Sequence, residues 1–317
     1  MIINQFTYLS TLLGDASTIR DHLAQTQEQI ASGLVSTTYS GLGNQARTAL
    51  SLAPQVAQQT TWSSNIDAAT GQLQVTQSAL SGISSIASSF FAKVNSFDTA
   101  DPTSIQQIQV SAKNALSQVA QLLNSKAGDA YVFSGQDTAN PPVTTTDPTV
   151  LSTDLLASDT ATPPFSSTIS STPPKIEVGH NEWSSIGLIA NQNTYATSTA
   201  PTTGSYMRDI MRSLASLTTL GTGSVATATI TDVRSRLSSA ISAIGTEQGA
   251  LGTIQNTLTQ KQTILSSFST TLTAQLSSVE DVDAAAAITR ASSLQTQLQA
   301  SYQIIAKTST LSLANYL

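Results

Sequence analysis

Few residues in this chain have much chemical reach. His22 and His180 could each ligate a metal or carry a proton. They come from separate regions, and neither has a carboxylate or thiolate at ligand spacing. The pattern therefore reads as surface or packing histidines rather than a zinc site or a triad. The 317 residues contain no cysteine, which removes disulfides, thiolate metal sites and a cysteine nucleophile. Gly41-Leu-Gly43 lacks the third glycine and the preceding strand of a dinucleotide loop, and no Gly-Lys-Ser/Thr occurs. Glu280, Asp281 and Asp283 gather acidic oxygens without the loop spacing of a calcium site. A helix-start cap or a phase break explains them better. Trp62 reads as core and Trp183 as a local packing anchor. No catalytic constellation emerges, so the expectation is a protein that is not an enzyme and uses no cofactor.

Composition points the same way. Only 10% of the residues are charged, against a usual value of ~25%, and only 5% are aromatic. Helix faces made of Ser, Thr and Gln pack against a neighbour without desolvating ions, which suits an assembly. A net charge of −6 and a first lysine at Lys93 argue against a nucleic-acid partner, since phosphates need clustered Lys and Arg. No apolar run approaches the ~18 residues that a membrane span requires. The first basic residue is Arg20, so no basic segment precedes an apolar core as in a Sec-type signal peptide, and if the protein leaves the cell, a route that cleaves no signal is expected.

The elements that carry these residues are mostly helical. From Ile230 to Val282, alternating steps of three and four give Ile230, Val233, Leu237, Ala240, Ile244, Glu247, Leu251, Ile254, Leu258, Lys261, Leu265, Phe268, Leu272, Gln275, Val279 and Val282. Thirteen of the sixteen positions are apolar, and that is a heptad seam asking for a partner helix. At ~1.5 Å per residue the helix is ~80 Å long. It cannot bury its stripe against itself.

Three more seams occur along the chain. Residues 1–33 carry Leu9, Leu12, Ala16, Ile19, Leu23, Thr26 and Ile30, with Gly33 as the stop. Residues 34–61 read as a linker and helix start, with Pro54 in or just before the first turn. Trp62 to Phe97 forms the next seam and Ile105 to Leu122 another, opened by Asp101-Pro102. Strand-like Ala130-Tyr-Val-Phe133 follows, closed by Ser134-Gly135. Residues 136–204 hold eight of the ten prolines, Pro201 among them. With Ile176-Glu-Val178 and Ile186-Gly-Leu-Ile189 as strand candidates, they read as a small, exposed β-containing insert. Helix resumes at Ser205. The expected fold is mainly α: a long antiparallel helical bundle or coiled coil formed by both chain ends, with the insert at its distal tip. Residues 62–135 and 205–283 form the bundle. Residues 1–33 and 284–317 are terminal arms with only each other for cover, marginal alone and better ordered with neighbours.

Several phrases carry a resemblance. Leu23-Ala-Gln-Thr-Gln-Glu-Gln-Ile-Ala-Ser-Gly33 resembles the N-terminal helix and stop of bacterial flagellins and of the flagellar hook–filament junction protein (hook-associated protein 3). Leu294-Gln-Thr-Gln-Leu-Gln-Ala-Ser-Tyr-Gln303, with Leu311-Ser-Leu313, resembles the flagellin C-terminal arm. Asp129-Ala-Tyr-Val-Phe-Ser-Gly135 followed by Pro141-Pro142 is similar to an element of the junction protein. The likeness covers roughly 1–142 and 205–317 and omits the insert. Val35-Ser-Thr-Thr-Tyr-Ser-Gly-Leu-Gly43 departs from the Arg-Ile-Asn stretch usual in that family.

The resemblance implies a structural axial subunit of the extracellular bacterial flagellum, exported by the flagellar type III apparatus. It favours the hook–filament junction, with the filament flagellin itself as alternative. A secreted effector or adhesin using the insert as binding module is the reading from another class. Implied partners are copies of itself, other axial proteins (hook-associated proteins and flagellin) and a cytoplasmic export chaperone. The residues expected to carry assembly are Leu9, Leu12, Ala16, Ile19, Leu23, Ile30, Ala291, Leu294, Leu298, Tyr302, Ile305, Leu311, Leu313 and Leu317.

Overall fold

The first helix, α1 (Ile2–Ser32), ends where its sequence supplies a residue without a Cβ. Gly33 takes φ +74° and donates its N–H to Gln29 O at 2.9 Å, the left-handed closure that glycine adopts without strain. The computed structural model of the chain describes residues 2–158, 163–197 and 203–314, and side chains over 8, 10–158, 163–197 and 203–308. Pro201 lies outside them. The described residues form seven α-helices and two antiparallel hairpins, so the fold is mainly α.

After a 3-10 turn at Tyr39–Gln45 comes α2 (Ala46–Asn95), which starts well before Trp62 and carries Pro54 in its interior. The sequence placed the helix start too late. One missing backbone N–H costs a bond in one turn, and buried Ala49 and Leu52 on the near side keep the helix packed across it. Asp101 caps α3 (Pro102–Leu123) by accepting from Thr103 N at 3.0 Å and Ser104 N at 3.1 Å. The hairpin β1 (Lys126–Ala127) and β2 (Ala130–Tyr131) turns through Gly128 at φ +60°. The strand ends earlier than expected because Val132 and Phe133 leave it to enter the core.

The stretch 136–204 holds a helix that its prolines concealed. In α4 (Pro148–Ala157), Pro148 sits in the first turn and Asp147 accepts from Thr149 N at 2.8 Å. Of the two strand candidates, the first is β3 (Lys175–Gly179). Its partner β4 is the polar Glu182–Ser185, not Ile186–Ile189, of which only Ile189 makes a bridge, to Ser134. Trp183 is 62% exposed instead of anchoring local packing. Its neighbour Glu182 turns toward Lys261, and alternation along the strand sends Trp183 the other way.

The remaining helices are α5 (Tyr206–Thr218), α6 (Ser224–Glu280) and α7 (Ala284–Ala314). At 57 residues α6 confirms the long seam, although Phe268 is 50% exposed despite its heptad position.

The chain divides into two compact units: Met1–Gln59 with Ser267–Leu317, and Thr60–Ser266. In the second, α2 and α6 run antiparallel. Gln262 Nε2 donates to Ser63 Oγ at 2.7 Å near one end, and Arg234 Nη2 donates to Val94 O at 3.2 Å near the other. Helix α3 joins them where Gly82 admits Leu122, whose Cδ1 would lie 3.0 Å from a Cβ there. Helix α5 is buried around most of its circumference, from Tyr206 to Thr218. The residues 136–204 fold into this unit, since Val143, Leu151, Leu155, Phe165 and Leu188 join the same buried cluster as Leu73 and Leu237. Their apolar positions follow no period, which is why the sequence set them apart.

Candidate assembly surface

The first unit is built on α1 against α7. On α1, Ala16, Leu23 and Thr26 are buried and Leu12, Ile19 and Ile30 half-buried, one stripe at helical spacing. On α7 the matching stripe is Ala287 and Ala291, buried, with Leu294, Leu298 and Ile305 half-buried. Most of the residues singled out for assembly are therefore covered within the chain. Tyr302 differs, being 51% exposed. Helices α1 and α7 run through the backbone positions of Leu9, Leu311 and Leu313, but those side chains lie outside the described residues, as does Leu317 entirely.

Five large apolar side chains of the two arms stay in solvent. Tyr8 is 56% exposed, Leu13 52%, Ile288 53%, Tyr302 51% and Ile304 47%. Reading heptads missed Tyr8, Leu13, Ile288 and Ile304. A signal was present in the doublets Leu12-Leu13, Ala287-Ile288 and Ile304-Ile305. Neighbouring residues on a helix point ~100° apart, so one member of each pair must leave the seam. In every doublet one residue is covered and the other exposed.

The ends of the arms are fixed by main-chain and carboxylate contacts. Val35 N donates to Glu280 O at 2.7 Å and Val282 N donates to Gly33 O at 2.9 Å, with Leu34 and Asp281 bridging between them. Asp283 starts α7 by accepting from Ala286 N at 3.1 Å, the helix-start role expected of this acidic group. His22 and His180 are both exposed, and no three metal-ligating side chains converge among the described residues.

In the second unit the polar interruption of the long seam has a specific use. Glu247 is fully buried, and its carboxylate accepts from three successive amides: Thr194 N at 2.8 Å, Tyr195 N at 3.0 Å and Ala196 N at 3.2 Å. Such a nest of N–H groups compensates a buried carboxylate without a cation. Burial, and then the charge of Glu247, pushes the Tyr206 and Tyr195 hydroxyls above the usual phenol range.

Residues 235–317 match the family model of the bacterial flagellin C-terminal helical region. Over those residues the chain is similar to bacterial flagellin. The matched part holds Glu247, the α6–α7 junction and the exposed Ile288, Tyr302 and Ile304. Among solved structures the chain is similar to a "putative flagellar hook-associated protein from Vibrio parahaemolyticus", at 12% identity and a TM-score of 0.45 over 71% of this chain and 95% of that one. A likeness of that size carries no argument by itself. No curated protein matches the sequence. No described helix is long and apolar enough to cross a membrane.

Proposed function

We propose that this chain is a structural axial subunit of the bacterial flagellum that assembles through the exposed apolar residues of its paired arms. The observation that carries the reading is the pair itself. Helices α1 and α7 cover one stripe of each other and leave Tyr8, Leu13, Ile288, Tyr302 and Ile304 in solvent. Water contact with that much apolar surface is unfavourable, and burial between neighbouring subunits relieves it. Copies of the same chain, hook-associated proteins and flagellin are the neighbours such a subunit meets.

The place within the axis is the hook–filament junction, supported by the Asp129–Gly135 element and the Pro141-Pro142 that follows. The family match over 235–317 favours the second reading, the filament flagellin itself. In either case the chain is structural rather than catalytic, leaves the cell through the flagellar type III apparatus, and is held beforehand by a cytoplasmic chaperone on its C-terminal arm. Immunogold labelling of isolated flagella tests this. Label confined to the hook–filament boundary supports the junction, label along the filament supports the flagellin, and flagella without label overturn the axial role.

A further inference from the structure

The contacts between residues 33–35 and 280–282 do more than end two helices. Both are places where a helix breaks: α1 stops at Gly33 with φ +74°, and α6 gives way to α7 between Glu280 and Ala284. The two breaks lie side by side, joined by Val35 N to Glu280 O at 2.7 Å and Val282 N to Gly33 O at 2.9 Å. Gln29 Nε2 donates to Val35 O at 2.8 Å, and Thr37 Oγ1 donates to Glu28 Oε1 at 3.2 Å, so the outgoing strand is also tied to the last turn of α1. Glu280 O and Gly33 O, carbonyls at the ends of α6 and α1, each take a donor from the opposite segment.

We infer that this two-sided main-chain bridge is a latch coupling the two arms, so that α1 and α7 order and release as one unit. Helix α7 hangs from the latch through Asp283, whose backbone carbonyl accepts from Ala287 N at 2.9 Å. Helix α1 hangs from it through Gly33, with no residue between cap and bridge. Opening either bond removes the fixed exit of both helices, and two helices whose mutual seam is only partly buried have little else to hold them together. The coupling joins opposite ends of the sequence, so one arm cannot order far ahead of the other. This inference does not depend on what the arms bind.

Hydrogen exchange of the full-length chain, followed by mass spectrometry, tests it. In the unaltered protein, peptides of α1 over residues 10–31 and of α7 over residues 285–307 are expected to open with one shared protection factor. Val35→Pro and Val282→Pro each delete one bridging N–H. Each is expected to speed exchange in both arms about fivefold to tenfold, the worth of one net hydrogen bond, while peptides of α5 and of residues 62–94 stay unchanged. Acceleration confined to the arm bearing the substitution, or arms of the unaltered chain opening with separate protection factors, overturns the latch. Proline variants with α5 also deprotected are misfolded, and the unaltered chain then decides alone.

Discussion

Glu247 Oε1 accepts the backbone N–H of Thr194 at 2.8 Å, tying the middle of a 57-residue helix to a loop far from it in sequence. Tyr195 N and Ala196 N close on the same carboxylate. Glu247→Ala leaves these amides facing an apolar wall, and is expected to cost about 2–4 kcal/mol. Glu247→Gln keeps one acceptor but turns an NH2 toward the donors, so its loss falls between. Urea unfolding followed by circular dichroism measures both; equal stability of Glu247→Ala and the parent chain refutes the clamp.

Tyr206 sits beside this carboxylate with its hydroxyl buried and lacking a partner among the described residues. Its raised folded value means the native state holds the phenolic proton more tightly than the unfolded chain does. The associated stability is present below the ordinary value of 10.0 and is lost as pH rises above it. Tyr206→Phe removes both the orphan hydroxyl and the titration. It is expected to change stability at neutral pH by less than about 1 kcal/mol, since no bond is broken, and to move the alkaline unfolding midpoint upward. An unchanged midpoint contradicts the assignment.

The cap of α3 titrates at the other end of the scale. The Ser104 hydroxyl, and then the Thr103 amide, hold the Asp101 carboxyl below its usual 3.8. A lowered folded value means that the cap's contribution is complete above 3.8 and disappears as pH falls through the folded value. Asp101→Ala is expected to lower Tm by a few degrees at pH 7 and by less at pH 2. Thermal melts at the two pH values check it.

Two glycines should respond oppositely to the same change. Gly135 has φ +65°, and a Cβ there would lie 2.6 Å from Ser170 O and 2.9 Å from Thr172 O, neither of which can rotate away. Gly135→Ala is expected to destabilise by about 2 kcal/mol or more. Gly249, exposed on α6, would meet nothing within 4 Å. Gly249→Ala is expected to stabilise by about 0.5–1 kcal/mol through helix propensity alone. Chemical denaturation of the two variants compares them directly.

Periodicity carried much of the fold because a heptad seam is a local signal. The seams of α1, α3 and α6 are read residue by residue from the sequence, and so is the stop at Gly33. Pro54 hid the start of α2 because a proline near a helix start looks like a boundary, while the packing that tolerates it is tertiary. Helix α4 has a legible Asp147-Pro148 start. It is only ten residues long, and with Pro163 and Pro164 following it the stretch resembled a loop. Glu247 looked like a blemish in the seam, since its partners are backbone amides that no side-chain pattern announces. At the arms the seam residues were legible and the exposed apolar residues were not, although Leu12-Leu13 and Ile304-Ile305 recorded them. Leu13 and Ile304, the exposed members of these doublets, lie off the seam, so its period does not mark them.

The exposed apolar residues of the arms are tested most directly by placing charge on them. Leu13→Lys, Ile288→Lys and Ile304→Lys together leave the covered face of both arms intact, so the helical circular dichroism signal should not change. Sedimentation velocity on the purified chain, alone and mixed with flagellar axial partners, should show assembly by the parent chain and none by the triple variant. Assembly by the triple variant as complete as that of the parent would contradict the account.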